Sequence, residues 1–230
     1  MYVASNATHP ALAVLSNPNL FFLCSINKAS LLIKSSVWVP TIIIACFAYF
    51  SHASNSSMKR HDIHAGLCAL MMAIGMSEGL TQILKFVVLR RRPNFYSLCQ
   101  FSKETKTCTT DFHHVLEAQL SFPSGHTSLS FCGMTILVWF LLGRLQYPKS
   151  RHKVLYLICF LPWLFACLVG VSRIVDYWHH VSDVVAGCLL GTTCATISYH
   201  LWYPPVLCGD AGIPYSYTLA KETKLPSFHK

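Results

Sequence analysis

Charged residues are scarce in this chain, and carboxylates are the scarcest of them. Only 12% of the 230 residues are charged, with 9 Asp and Glu against 18 Lys and Arg. Hydrophobic residues make up 53% of the chain, which is too apolar for an ordinary soluble domain of this length. The carboxylates are too few and too scattered to build a two-metal cluster. We therefore expect a membrane protein that uses neither a metal ion nor another cofactor.

A zinc-type cysteine pattern and a nucleic-acid-binding face are also missing. Most of the 11 cysteines lie inside apolar runs, where a thiol is usually a small hydrophobe. Only Cys99 and Cys108 share a polar loop, and they are a candidate disulfide if that loop faces an oxidising compartment. The net charge of +9 suits a membrane surface or a phosphorylated substrate, and no basic stretch interleaved with aromatics indicates nucleic acid. The sequence leaves the oligomeric state open.

Five apolar stretches approach or exceed the ~20 residues that a membrane-spanning helix needs. They run from Leu31 to Phe50, Ile63 to Leu89, Thr127 to Gly143, Val154 to Val171 and Val181 to Trp202. Residues 1–30 are predicted as a non-spanning lead-in, 31–202 as the membrane domain and 203–230 as a polar tail. Residues 51–62 are predicted as a loop. We expect an all-α integral membrane bundle with about five transmembrane helices.

Basic residues are concentrated in two loops on one side of this predicted bundle. They are Lys59 and Arg60 in the first loop, and Arg144, Lys149, Arg151 and Lys153 in the second. By the positive-inside rule that side is cytoplasmic. The opposite side, with residues 90–122, is then expected to face the lumen or exterior of an endomembrane or plasma membrane. Asn6 begins an Asn-Ala-Thr sequon on that outer side and is a candidate glycosylation site.

Lys85 and Arg92 end the second apolar stretch with a pair of positive charges. They lie seven residues apart, which is about two helical turns, so a continuous helix would present both on one face. Such a face is a cationic clamp suited to phosphate. The neighbouring Arg90 and Arg91 are interpreted as anchors in the lipid headgroups.

Ser124, Gly125 and His126 precede the third apolar stretch. Ser124 is predicted as the N-cap of a helix, and Gly125, which lacks a side chain, lets backbone N–H groups approach an anion at the helix N-terminus. A histidine in such a place is usually an interfacial residue, so His126 gains a chemical interpretation only in combination with the other polar stretches.

Arg173, His179 and Asp183 form the third polar group. If the last helix begins a turn before Val181, His179 and Asp183 share one face at i and i+4, so the carboxylate can hold one imidazole nitrogen and leave the other free to attack. Arg173 supplies planar donors for phosphate oxygens. Asp176 is the alternative carboxylate, but its position is less favourable. His113, His114 and His180 are interpreted as loop or interfacial residues.

Together the three groups resemble the signature of the type 2 phosphatidate phosphatase superfamily, the lipid phosphate phosphatases and relatives that share a site with vanadium haloperoxidases. The first motif, a lysine, six residues and Arg-Pro, matches residues 85–93; the second, Pro-Ser-Gly-His, matches 123–126; and the third, ending in His, three residues and Asp, matches 172–183. Residues 176–180 look most like the lipid phosphatase branch. Members usually have six spans, so the N-terminal part of this chain looks short by one helix.

The resemblance implies metal-independent hydrolysis of lipid phosphate monoesters or diphosphates, such as phosphatidate, lysophosphatidate, diacylglycerol pyrophosphate or sphingoid phosphates. His179 would form a phosphohistidine, Asp183 would orient it, and His126 would protonate the leaving alkoxide and then activate water. The groups implied to hold the phosphate are Lys85, Arg92, Ser124, Gly125 and Arg173. Polyprenyl diphosphate substrates, a vanadium haloperoxidase-like activity and a non-catalytic lipid-binding role remain alternatives.

Overall fold

The computed structural model describes residues 18–51, 56–145 and 153–223, and within them the side chains of 34–50, 56–145 and 154–223. The helices of these ranges are α1 (Pro18–Ser51), α2 (Ser56–Val88), α3 (Phe95–Leu98), α4 (Phe112–Glu117), α5 (Gly125–Arg144), α6 (Lys153–Cys159), α7 (Leu161–Val175), α8 (Val181–Trp202) and α9 (Tyr215–Glu222). Strands β1 (Phe101–Ser102) and β2 (Thr107–Cys108) form an antiparallel hairpin.

Four helical segments among the described residues are long and apolar enough to cross a membrane. They are α2, α5, the α6–α7 segment Val154–Val175, and α8. The described side chains of α1 give a shorter apolar helix, Lys34–Phe50. The chain is thus an all-α, multi-pass membrane bundle, as predicted. Because α1 begins at Pro18, the predicted boundary at residue 30 falls inside a helix. Residues 1–17, including Asn6, lie outside the described residues.

Helix α5 lies at the centre of the bundle. Every residue from Thr127 to Val138 is buried, because α1, α2, α7 and α8 all pack against this helix. A helix covered on all sides has no polar face, which explains its continuous run of apolar and small residues. The outer helices carry exposed large hydrophobic side chains, such as Phe86, Leu168 and Leu189, that suit contact with lipid.

Helices α5 and α8 approach each other backbone to backbone. A Cβ atom on Gly191 would lie 2.1 Å from the Ser128 carbonyl oxygen, and one on Gly187 would lie 2.7 Å from the Ser124 carbonyl oxygen. Only glycine fits at such distances, and small residues four apart are a common contact between membrane helices. The Ser124 N–H also donates to the Asp183 carbonyl oxygen at 3.0 Å. This packing sets the second and third motifs beside each other.

The end of the bundle opposite the motifs differs from the sequence prediction in two places. Residues 56–62, predicted as loop, belong to α2, where fully buried Asp62 forms an ion pair with Arg144. The Tyr203 hydroxyl donates to Asp62 Oδ1 at 3.0 Å. Tyr203 is 1% exposed, and Val206 and Ala211 are also buried. The predicted polar tail therefore begins with residues of the core. Tyr203 is held there because a buried aspartate requires hydrogen-bond donors, which Arg144 and Tyr203 supply.

Candidate active site

The three polar stretches meet at one end of the bundle. Helices α2 and α7 end there, and α5 and α8 begin there. The Lys85 ammonium lies over Gly125, since a Cβ atom on Gly125 would be 3.4 Å from Lys85 Nζ. His126, in the first turn of α5, lies within electrostatic range of Lys85, Arg92 and Arg173 and of the His179 ring. The fold thus brings the predicted cations and both predicted histidines together.

Arg92 reaches this site from a loop, and the predicted shared helix face with Lys85 is wrong. Helix α2 ends at Val88, and Leu89 has a φ of +46° that turns the chain away from the helix. The Arg92 N–H then donates to the Ala118 carbonyl at 2.9 Å. Its guanidinium lies 4.8 Å over the Trp178 ring. Burial lowers the pKa of Arg92, with the negative charge of Glu117 acting in the opposite direction.

Ser124 occupies the predicted N-cap position of α5, but its side chain makes no capping hydrogen bond. Its hydroxyl is fully buried and accepts a 2.9 Å hydrogen bond from the Thr127 hydroxyl. The first-turn N–H groups of a helix have no acceptor within that helix. Those of α5, Gly125 among them, are therefore available to an anion beside the Lys85 ammonium.

His179 is held by a backbone carbonyl and not directly by Asp183. Its Nδ1 atom lies 2.8 Å from the Ser121 carbonyl oxygen but 3.9 Å from Asp183 Oδ2, which is too far for a hydrogen bond. The predicted direct orientation by Asp183 is therefore corrected. A carbonyl can only accept, so Nδ1 carries the proton and Nε2 carries the lone pair. Burial lowers the pKa of His179, whereas Asp183 and the Ser121 carbonyl act to raise it.

Asp183 is fully buried and is the centre of a hydrogen-bond network. Oδ1 accepts a 2.7 Å bond from Arg90 Nη1. Oδ2 accepts a 2.6 Å bond from the Ser121 hydroxyl and a 2.9 Å bond from the His180 N–H. His180 and Asp183 form a capping box at the start of α8. Asp183 therefore acts on His179 through the Ser121 residue, whose hydroxyl it holds and whose carbonyl holds the imidazole.

The sequence interpretation missed three members of this network: Arg90, Ser121 and His180. A buried carboxylate calls for a cation, but the run Arg90 to Arg92 does not tell which arginine supplies it. His180 and Asp183 have the three-residue spacing of a capping box, but not the Ser or Thr and Glu or Gln that usually signal one in a sequence. Ser121 carries no comparable signal, because its role depends on a loop conformation.

Arg173 is 3% exposed and folds the third motif back on itself. Its Nη2 donates to Asp176 Oδ2 at 2.8 Å. Its backbone carbonyl accepts the N–H groups of Trp178 at 3.1 Å and His179 at 3.3 Å. This turn brings the Arg173 and His179 side chains to the same site. Asp176, the alternative carboxylate, pairs with Arg173 and not with His179.

Residues 89–124, which connect α2 to α5, form a small cap. Cys99 and Cys108 form a disulfide with their Cα atoms 5.1 Å apart. Phe95, Cys99 and Ala118 make a separate small core. Because the Ala118 carbonyl binds the Arg92 N–H, the cap is attached to one of the cations of the site.

The fold and site define a multi-pass helical membrane protein with buried and half-buried cations and histidines gathered at one end of its bundle. The profile of the PAP2 superfamily matches residues 66–205. The chain is 35% identical over 200 residues to lipid phosphate phosphatase 1 of Arabidopsis thaliana, covering 82% of this chain and 58% of that protein. It is 32% identical over 205 residues to diacylglycerol pyrophosphate phosphatase 1 of Saccharomyces cerevisiae, covering 83% and 68%.

The chain belongs to the PAP2 superfamily, the type 2 phosphatidate phosphatases, as its motifs predicted. It spans less than two thirds of the length of the Arabidopsis relatives, 58% of one and 57% of another. A solved structure, the transmembrane PAP2 type phosphatidylglycerolphosphate phosphatase from Bacillus subtilis, is 23% identical with a TM-score of 0.48, covering 83% of this chain and 81% of that one.

Proposed function

We propose that this protein hydrolyses lipid phosphate monoesters or diphosphates without a metal ion, through a phosphohistidine on His179. The observation that carries the proposal is the convergence of Lys85, Arg92 and Arg173 with His126 and His179 around the start of α5. Cations and first-turn N–H groups together neutralise and hold a phosphate. Two imidazoles beside them supply a nucleophile and a proton donor.

In the proposed first step, His179 Nε2 attacks phosphorus with its lone pair while the P–O bond to the lipid alkoxide breaks. The Ser121 carbonyl keeps Nδ1 protonated, so the attacking nitrogen is unprotonated. His126 gives its proton to the leaving alkoxide. In the second step, His126 takes a proton from water, and the hydroxide attacks phosphorus and releases His179.

The remaining site residues are proposed to bind the phosphate oxygens as negative charge builds in the transition state. Lys85, Arg92 and Arg173 supply charge, and the Gly125 N–H supplies a backbone donor. The Ser124 hydroxyl accepts from Thr127, which leaves its own proton available to a phosphate oxygen. Asp183 and Asp176 are paired with Arg90 and Arg173, a donor set that favours phosphate binding by side chains over metal coordination.

A lipid substrate is supported by the setting of the site, at the end of helices whose outer faces are apolar and exposed. It is also supported by the names of relatives that act on lipid phosphate and diacylglycerol pyrophosphate. We further propose, from the basic bias of residues 51–62 and 144–153, that the site faces the lumen or exterior of an endomembrane or the plasma membrane. The substrate would then enter sideways from the outer leaflet.

The test is phosphate release by purified protein in detergent micelles with excess EDTA. The panel contains phosphatidate, lysophosphatidate, diacylglycerol pyrophosphate, a sphingoid phosphate and a polyprenyl diphosphate. We expect release that persists in EDTA, is blocked by vanadate and is absent in His179→Ala. A strict magnesium requirement would contradict the metal-free mechanism. A preference for the polyprenyl diphosphate would make polyprenyl diphosphates the substrate class in place of the glycerolipid and sphingoid phosphates.

Two further outcomes would replace the proposed function altogether. Halide oxidation by the vanadate-loaded protein without phosphate release would indicate haloperoxidase chemistry. Binding of lipid phosphates to the folded protein in micelles, without phosphate release, would indicate a non-catalytic lipid-binding role.

A further inference from the structure

The cap carries a cluster of metal-ligand side chains outside the proposed catalytic groups. His113, His114 and Glu117 of α4 each offer one ligand atom, and these three atoms lie within 4.8 Å of one another. At 3.6 residues per turn, residue 117 projects between residues 113 and 114, about 40° from the first and about 60° from the second. The helix itself therefore directs the carboxylate between the two imidazoles.

Two imidazoles and one carboxylate are a donor set that zinc takes in protein sites, with a fourth position left to water. Zinc bonds of 2.0 to 2.2 Å in a tetrahedron hold ligand atoms roughly 3.3 Å apart. All three side chains are exposed, so rotamer changes can close the remaining separation without strain on the core. We propose that His113, His114 and Glu117 form a binding site for Zn²⁺ or a similar divalent transition metal on the cap.

The same carboxylate connects this cluster to the candidate active site. Glu117 Oε1 lies 3.7 Å from Arg92 Nη2, an ion pair without a direct hydrogen bond. The Glu117 side chain is 51% exposed, whereas that of Arg92 is 8% exposed. Glu117 can therefore turn to a metal ion while Arg92 stays in place beside Trp178.

A metal ion that takes Glu117 removes a negative charge that competes with phosphate for Arg92. This part of the inference rests on the proposed function, in which Arg92 binds the substrate phosphate. Metal binding at the cap should then lower KM for a phosphate monoester and leave kcat nearly unchanged, because the reacting groups are untouched. The metal is a modulator here and takes no part in the chemical step.

Metal binding is tested without any activity measurement. The tag-free protein in detergent is titrated with Zn²⁺ by calorimetry and with Co²⁺ by visible absorption. We expect His113→Ala and His114→Ala each to weaken one site by at least about 10-fold. His61→Ala, which alters an α2 histidine at the opposite end of the bundle, and the double variant His126→Ala with His179→Ala should retain that site. Equal binding by wild type and His113→Ala would overturn the proposal, whatever the enzyme does.

The link to Arg92 is tested by steady-state kinetics with a soluble phosphate monoester. Zn²⁺ should lower KM of the wild type by about 2- to 5-fold, the range of an exposed ion pair, and Glu117→Gln in EDTA should show the same lower KM. The double variant His113→Ala with His114→Ala should not respond to Zn²⁺. An unchanged KM in zinc-loaded wild type, or the same zinc effect in the double variant, would overturn the link. Absence of all phosphatase activity would instead refute the proposed function and leave the binding result standing.

Discussion

Arg90 donates a 2.7 Å hydrogen bond to Asp183, and this pair lies behind His179 in the candidate active site. Asp183 is fully buried, whereas the Arg90 side chain is 37% exposed. The Arg90 carbonyl also accepts the Ser121 N–H at 3.0 Å. One arginine thus binds both the carboxylate and the loop residue whose carbonyl holds His179. Loss of the Arg90 side chain would leave the buried Asp183 carboxylate without its cation and loosen the support of the His179 imidazole.

Arg90→Ala is expected to lower kcat by about 10- to 100-fold, the scale of a small misplacement of a reacting group. KM should change less, because Arg90 is not among the proposed phosphate ligands. Arg90→Lys should recover part of the rate by restoring a charge near Asp183. Arg91→Ala is the matched control, since exposed Arg91 stacks on Phe95 at 4.9 Å. Equal kcat values for the Arg90→Ala and Arg91→Ala proteins would refute the positioning role.

Replacement of His126 and replacement of His179 should give different catalytic defects. His126→Ala should lose about 10²- to 10⁴-fold with a lipid phosphate, whose alkoxide leaves poorly without an acid. With p-nitrophenyl phosphate the first step should partly survive, because the phenolate needs little protonation. The second step then lacks its base, so the phosphohistidine accumulates.

Labelling with a phosphorus-labelled activated substrate measures this intermediate, after a quench in alkaline detergent, because phosphohistidine is stable in base and hydrolyses in acid. His126→Ala should be labelled, and His179→Ala should not. Labelling of His179→Ala together with none in His126→Ala would reverse the two assigned roles.

The pKa of His179 predicts a pH dependence of both activity and stability. Burial lowers that pKa below the ordinary value of 6.5, so the unprotonated nucleophile persists at mildly acidic pH. The acid limb of kcat/KM that belongs to His179 should lie below 6.5. Just below pH 6.5 the His179 side chain binds a proton more readily in the unfolded chain than in the folded protein. The free energy of unfolding therefore falls as the pH drops below 6.5.

Thermal unfolding of the wild type and of His179→Asn in detergent, between about pH 5 and 7, separates this contribution. The wild type should lose more stability toward the acid end than the variant does. Parallel curves for the two proteins would show that His179 does not carry the effect.

The contact between α5 and α8 predicts a strong difference between two glycines. Gly191→Ala would bring a Cβ atom to 2.1 Å from the Ser128 carbonyl oxygen, whereas Gly75 on α2 has nothing within 4 Å. Gly191→Ala should destabilise the protein by roughly 1 to 3 kcal/mol through overpacking. Gly75→Ala should be neutral or slightly stabilising, because alanine favours a helix. Thermal unfolding in one detergent compares them, and equal losses would count against the close packing.

Thiol labelling tests the orientation of the protein and the cap disulfide. Cys99 and Cys108 are predicted to lie outside the cytoplasm, and closing so short a loop should stabilise the cap by roughly 2 to 3 kcal/mol. In intact vesicles whose outer surface is the non-cytoplasmic side of the membrane, an impermeant reagent should label the cap cysteines only after reduction. Exposed Cys208, which follows α8 at the opposite end, should be labelled only after permeabilisation. Single-cysteine and paired-cysteine variants assign the signals, and labelling of the cap without reduction would refute the pairing.

The sequence alone determined the class of fold and the family, and it located the three motifs that meet at the candidate site. Long apolar runs determine helices in a bilayer because backbone groups there must bond within the segment, and four of the predicted spans are helices of that kind. The ordered motifs from Lys85 to Asp183 identified the family, because the spacing of several polar groups between apolar runs is rarely met by chance.

Only the tertiary structure decided how these residues support one another. Helical spacing placed Lys85 with Arg92 and His179 with Asp183, yet α2 ends before Arg92, and His179 bonds to the Ser121 carbonyl. Local periodicity describes side chains on one helix, whereas these contacts join loops that are distant in sequence. The choice of Arg90 as the partner of Asp183, and the burial of Tyr203 against Asp62, followed from the need to satisfy carboxylates that packing had removed from water.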